Sequence, residues 1–167
     1  VGDINHGWYL STTEVDAFSN GDRQSIFYTT GCWPNAYDYT KCISEHWVRD
    51  NDGGGVAFVG NSRNGYYTSG DTSTLSNQYD RYFWRSLFNQ NHYHLGDCFS
   101  DHKNDGPTTG DYNKYIFTTL TLLGDPELPV WKADPTEIDS VTFPDPVPTG
   151  SQSFTVTVSD GGSPLEG

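Results

Sequence analysis

Short apolar runs alternate with longer amphipathic stretches along the first 132 residues of this chain. "VGDINHG" opens with a short apolar run that ends at Asn5-His6-Gly7. Trp8 to Gln24 separate it from a second run, Ile26 to Tyr28 in "SIFYTTG". That separation allows a crossover, which a parallel strand pair needs and a hairpin does not. Asp38 stands as an N-cap for a helix through "YTKCISEHWVRDN", with Ile43, Trp47 and Val48 as its buried stripe. "DGGG" breaks that helix, and "VAFVG" follows as a third short buried strand. Strand, crossover, strand, helix, strand predicts an α/β domain built on a parallel sheet.

Beyond the loop "NSRNGYYTSGDTS", an amphipathic helix is expected over "TLSNQYDRYFWRSLFNQ". Leu75, Tyr79, Tyr82, Phe83 and Leu87 fall roughly on one face of it. "LGDCFSDHK" predicts a shorter helix, and "YNKYIFTTLTLLG" another that Gly124 stops. "DPELPVW" predicts a last strand, limited by its prolines to an edge. From Ala133 onward the pattern changes: acidic residues remain, while Lys, Arg and His disappear. Residues 133–167 predict two alternating strands, Ile138 to Phe143 and Gln152 to Ser159, joined by a Pro-rich turn. They are expected to open an immunoglobulin-like β-sandwich, which two strands cannot complete.

Charge narrows the function classes. Nine Lys and Arg face 22 Asp and Glu, a formal net charge of -13. With no basic cluster, nucleic acid is not an expected partner. No run of about 18 apolar residues exists, so no membrane span is predicted. Lacking Met and a signal peptide, the chain is expected to begin inside a longer precursor. Three cysteines, Cys32, Cys42 and Cys98, are too few and too odd in number for a disulfide framework. One bridge or three thiols both suit them.

In an open parallel sheet, functional groups gather beyond the carboxyl ends of the strands. His6 ends the first predicted strand and Cys32 follows the second. Adjacent strands lie about 4.8 Å apart, so both side chains can reach one substrate bond. A Cys and a His brought together by the fold suit a thiol nucleophile and its base. Gly7 leaves a backbone N–H unobstructed, and the Cys32 N–H would join it in an oxyanion hole. The bland alternative is a strand-end His satisfied by a loop carbonyl and a buried core Cys.

The segments "INHGW", "FYTTGCWPNAYDYTKCISEHWV", "GGGVAFVGNSRNGYYTSG" and "TLTLLGDPELPVW" together resemble the gingipain family of cysteine peptidases. The resemblance spans residues 1–132 and corresponds to the C-terminal part of the catalytic domain. It implies a caspase-like fold: a mostly parallel sheet with helices on both faces, followed by the first strands of a β-sandwich. It further implies that His6 is the catalytic histidine, Cys32 the nucleophile, and Gly7 and Cys32 the oxyanion donors. Tyr67 or Tyr66 takes the place of the aromatic residue, often Trp, that borders the P1 pocket. "LGDP" at 123–126 matches a structural turn without chemistry. The implied protein is a secreted or cell-surface endopeptidase acting on proteins or peptides. Its partner would be the N-terminal part of the same precursor, which carries the carboxylate behind His6 and the acidic P1 residue. The alternative is an inactive surface or adhesion protein that keeps the peptidase fold.

Other groups carry less. Cys42 beside Ile43 and Cys98 between Leu95 and Phe99 suit core positions. His92 and His94 have a spacing a metal could use, but no further ligand stands at a recognisable distance. Counted from Asp50, Asp52 and Gly55 fall at positions three and six of a calcium loop. Gly54 at position five offers no side chain, and Asn61 occupies the place of the closing glutamate. A turn is the expected structure there. No cofactor is required by the chemistry, and the resemblance leaves room for a structural calcium ion.

Overall fold

A computed structural model describes residues 10–39, 42–132, 138, 140–146, 149–151, 153–160 and 163–164. The predicted first strand, with His6 and Gly7, lies outside the described residues. The chain divides into two compact units, Val1–Val130 and Trp131–Gly167.

The first unit is a mixed α/β layer structure. Strands β1 (Ser25–Tyr28) and β2 (Gly55–Asn61) pair in parallel, as their long connection allows. Within that connection lies helix α2 (Ile43–Arg49), while the short helix α1 (Thr12–Val15) precedes β1. Ser11 starts α1 with a capping box: its hydroxyl accepts from Glu14 N–H, and the Glu14 carboxylate accepts from Ser11 N–H. After β2 come α3 (Ser76–Asn89), α4 (Leu95–Asp105), α5 (Asp111–Thr119) and strand β3 (Leu120–Gly124). β3 pairs antiparallel with β2, which therefore lies between β1 and β3 among the described strands.

Both faces of the sheet are covered, and side-chain alternation divides them. Ala57 and Val59 of β2 pack with Tyr79, Phe83, Leu87, Leu95 and Ile116 of α3, α4 and α5. Phe58, between them in sequence, faces the opposite layer of Val15, Ile43 and Trp47 from α1 and α2. Phe27 of β1 stacks on Phe58 with ring centroids 4.9 Å apart, and Trp47 meets Phe27 edge-on at 5.0 Å. Full burial of one such side chain contributes about 1.5–3 kcal/mol. Gly54, between α2 and β2, has φ +68, and a Cβ there would meet the Trp47 carbonyl oxygen at 2.2 Å. The broken helix therefore turns into β2 through a glycine that no other residue replaces without strain.

Three elements differ from the sequence expectation. Residues 120–124 form β3, not the continuation of a helix. The helix stops at Thr119, whose carbonyl accepts from Ser62 N–H at 2.7 Å. An open edge on β2 offers five residue pairings, and Leu122 and Leu123 enter opposite core layers. Residues 125–131 form no extended strand, only an isolated antiparallel bridge between Pro129 and His94. They are pinned to the start of α4 by Leu95 N–H to Leu128 O, 2.9 Å, and Val130 N–H to Tyr93 O, 2.6 Å. Asp38 caps no helix, because α2 begins only at Ile43 with Cys42 in the N-cap position. Within α3, Tyr79, Phe83 and Leu87 are buried as expected, while Tyr82 is half-buried beneath the Arg85 guanidinium. All three cysteines are buried thiols that form no disulfide.

The second unit contains a three-stranded antiparallel sheet, β4 (Ser140–Thr142), β5 (Thr157–Asp160) and β6 (Ser163–Pro164), in that order. Ser140, Val141 and Thr142 pair with Ser159, Val158 and Thr157. No helix among the described residues is long and apolar enough to cross a membrane.

Candidate active site

β1 and β2 are parallel, so their carboxyl ends lie on one rim, and the two segments that leave them interlock there. Thr29 N–H extends the pairing by donating to Val59 O at 3.0 Å. The chain then turns, with Gly31 N–H donating to the Thr29 hydroxyl at 3.0 Å. Asn61, the last residue of β2 and fully buried, reaches across with its carboxamide. Its Nδ2 donates to Thr30 O at 3.3 Å and to Gly31 O at 3.0 Å.

Cys32 follows at once. It is only 4% exposed, yet it belongs to neither apolar cluster. Its sulfur lies against the backbone of Gly65, in the loop after β2. Gly65 N–H donates to Sγ at 3.3 Å, and Sγ lies 3.6 Å from Gly65 O. Once the sulfur is ionised, that N–H makes a charge-assisted hydrogen bond to it. The approach depends on glycine, since a Cβ at position 65 would stand 2.0 Å from Thr30 O.

The other end of the turn is fastened as firmly. Trp33 has φ +67, an uncommon conformation for a bulky residue. Its N–H donates to Arg63 O at 2.9 Å, and its indole N–H donates to Asn64 Oδ1 at 2.6 Å. The Arg63 guanidinium lies 5.1 Å from the Trp33 ring centre and pairs bidentately with Asp38, at 3.0 and 3.1 Å. Buried Asn35 donates to Gly60 O at 3.1 Å and to Thr121 O at 3.0 Å, tying the turn to β2 and β3.

Tyr66 and Tyr67 directly follow Gly65, but their environments differ. Tyr66 is half-buried. Its N–H donates to the Ser76 hydroxyl at 3.0 Å, and its ring packs on Tyr112 and Tyr115, with centroids at 4.8 and 5.5 Å. Tyr67 is 63% exposed. His6 and Gly7 lie outside the described residues, so the structure brings together Cys32, the loop carrying the tyrosines, and Asn61.

Cys42 and Cys98 occupy different surroundings. Cys98 is part of the apolar cluster beneath α3 and α4. The Cys42 thiol donates to Glu45 Oε2 at 3.1 Å, and burial pushes its pKa above the ordinary value. A thiol held protonated is a poor nucleophile. Among the described residues, no three His, Cys, Asp or Glu side chains are grouped to hold a metal. His94 Nδ1 lies 3.5 Å from Asp97. Asp50 Oδ1 accepts from Asp52 N–H at 3.0 Å, closing a turn, while the Asn61 carboxamide serves the Cys32 turn. A cleft of about 770 Å³ beside α2, lined by Asp16, Asp38, Glu45, His46, Arg49 and Asp50, includes neither Cys32 nor residues 62–67.

The roles of Asn61 and Gly65 do not follow from the expected motifs. The signal was an Asn closing a buried apolar run, "VAFVGN", where a carboxamide must find partners.

Comparison with known proteins agrees with this architecture. No curated protein matches the chain in sequence. Among solved structures, gingipain R, an Arg-specific cysteine proteinase, superposes with a TM-score of 0.69 at 19% identity over 88% of this chain. A second protease structure superposes with a TM-score of 0.64 at 20% identity over 91% of it. At such identities the likeness is one of fold. This chain covers 35% of the first and 38% of the second, little more than a third of each. The sequence model of Peptidase family C25 matches residues 3–131, through the strand ends that carry Cys32 and Asn61. The chain therefore belongs to peptidase family C25, the gingipain family of cysteine peptidases.

Proposed function

We propose that this chain carries the nucleophile-bearing part of a cysteine endopeptidase, with Cys32 as the attacking thiol and His6 as its acid and base. The observation that carries this reading is the setting of Cys32. It is a buried thiol outside both apolar clusters, held at the rim of a parallel strand pair with a backbone N–H aimed at its sulfur. The Cys32 thiol gives its proton to His6, and the thiolate adds to the scissile carbonyl carbon. The carbonyl oxygen takes the negative charge, facing the backbone N–H groups of Gly7 and Cys32. Collapse breaks the C–N bond, and His6 returns the proton to the leaving amine. Water then hydrolyses the thioester and regenerates the thiol. No cofactor is needed.

Tyr67, with Tyr66 behind it, would border the P1 side chain in this reading. A basic P1 residue suits the net charge of -13. The carboxylate that orients His6, and the acidic residue that selects P1, would come from the N-terminal part of the same precursor. Secretion or display at the cell surface fits the acidic composition and the family. Residues 133–167 would open a sandwich domain.

A fluorogenic peptide panel with varied P1, together with an electrophilic peptide probe, tests the proposal. The probe should label Cys32, and Cys32→Ala should abolish cleavage while Cys42→Ala retains most of it. Equal cleavage by both variants would show the nucleophile to be elsewhere. A folded protein that takes no label would favour an inactive adhesion protein instead.

A further inference from the structure

We infer that Asn61 is a positioning residue that sets the direction of the Cys32 backbone N–H and thereby forms half of the oxyanion site. The inference rests on the peptidase reading above and adds a residue to it.

A single peptide plane sets the direction of this N–H. The Gly31–Cys32 bond is trans, so its C=O and N–H point in opposite directions. Asn61 Nδ2 holds the Gly31 oxygen at 3.0 Å and the neighbouring Thr30 oxygen at 3.3 Å. With both carbonyls anchored on the strand side, the Cys32 N–H is directed away from β2. Rotating that plane by half a turn would replace the donor with a carbonyl oxygen, which repels a developing oxyanion. The rotation would also break the bond to Asn61 and leave a fully buried carboxamide donor unsatisfied, which is costly.

The carboxamide is chemically specified. Two carbonyl oxygens can only accept, so the –NH2 end must face them, and it has two hydrogens for the two bonds. An aspartate, nearly the same shape, would set a carboxylate against two carbonyls. Asn35 is the internal contrast. It too is a fully buried carboxamide beside the turn, but its Nδ2 binds Gly60 O and the Thr121 oxygens and touches neither peptide that leads into Cys32.

The test uses the full-length enzyme with Asn61→Ala, Asn61→Asp and Asn35→Ala. Three readings are taken on each: kcat and KM for a peptide, inhibition by a peptidyl aldehyde, and alkylation of Cys32 by iodoacetamide. The aldehyde forms a hemithioacetal whose oxygen occupies the oxyanion site, whereas alkylation creates no oxyanion. Loss of a whole oxyanion donor costs about a hundredfold or more in kcat. Asn61→Ala should therefore lower kcat about tenfold or more with KM nearly unchanged, and aldehyde binding should weaken in parallel. Alkylation should keep its rate, whereas Asn35→Ala, which loosens the turn as a whole, should slow kcat and alkylation together.

An Asn61→Ala enzyme whose alkylation falls in step with kcat, the behaviour expected of Asn35→Ala, overturns the inference alone, as does one whose kcat does not fall. An unaltered enzyme that cleaves no peptide overturns the peptidase reading with it. Should neither Asn61 variant fold, side-chain amide exchange in the unaltered enzyme decides. Protected Asn61 carboxamide protons, with and without aldehyde, support the anchor, and rapid exchange in the free enzyme overturns it.

Discussion

His102 lies in α4 with no exposed surface, ringed by Tyr28 from β1, Tyr79 and Phe83 from α3, and Phe99 from its own helix. Ring centroids stand 4.9 to 6.2 Å from the imidazole. Its Nδ1 is 3.2 Å from Cys98 O, an acceptor, so Nδ1 carries the hydrogen of a neutral ring. A second proton would have to enter at Nε2, which no described group meets. Burial, followed by the charge of neighbouring Lys103, lowers the His102 pKa from 6.5 to about 4. The unfolded chain takes up the proton near pH 6.5, whereas the folded chain resists until about pH 4. Falling pH across that window therefore favours unfolding, and above it the effect vanishes. The difference corresponds to about 3 kcal/mol, fully developed below pH 4. His102→Leu removes the titrating group while Lys103, Asp101 and every other acid remain. Denaturant unfolding of both proteins, followed by tryptophan fluorescence from pH 7.5 to 4, should show the parent losing about 3 kcal/mol relative to the variant. A stability difference that does not change with pH would refute the reasoning, as would an imidazole proton resonance titrating near 6.5.

Three further outcomes are expected. Phe58→Ala, which empties the layer between Phe27, Trp47 and Ile43, should cost about 3–5 kcal/mol in denaturant unfolding. Asn35→Ala strips buried Gly60 O and Thr121 O of a donor and should lower stability by about 2–4 kcal/mol. Any fall in its kcat should be matched by slower Cys32 alkylation, and a kcat loss without it would contradict the division of labour between the two asparagines. Gly65→Ala drives a methyl group into Thr30 O and must displace the Cys32 turn. A displacement near 1 Å should lower kcat about a hundredfold, and an unchanged rate would mean that the loop does not seat the thiol.

The elements that announced themselves in the chain were those with local causes. "SIFY" and "VAFVG" are short apolar runs bounded by glycine or polar residues, and both are strands because neither has the length or the polar face of a helix. Tyr79, Phe83 and Leu87 recur at helical spacing and are buried along one side of α3. The place of Cys32 just beyond a strand was equally legible, since Gly31 breaks the run before it; its role as a nucleophile came from the family resemblance. β3 was hidden because its Thr-Leu alternation is too short to stand out, and "TLTLLG" continues the apolar content of the helix before it. Only the unpaired edge of β2 decides that these residues extend. Asp38 satisfies every local rule for a cap, yet Arg63, brought close by the loop after β2, holds it instead. Asn61 is the strongest case. Its carboxamide meets carbonyls that are 30 and 31 residues away along the chain and adjacent only once the parallel strands pair. Local patterning thus determined β1, β2 and α3 and the place of the thiol just beyond β1. Tertiary contact decided what holds that thiol in place, because a hydrogen bond between distant residues leaves no periodic trace in the order of amino acids.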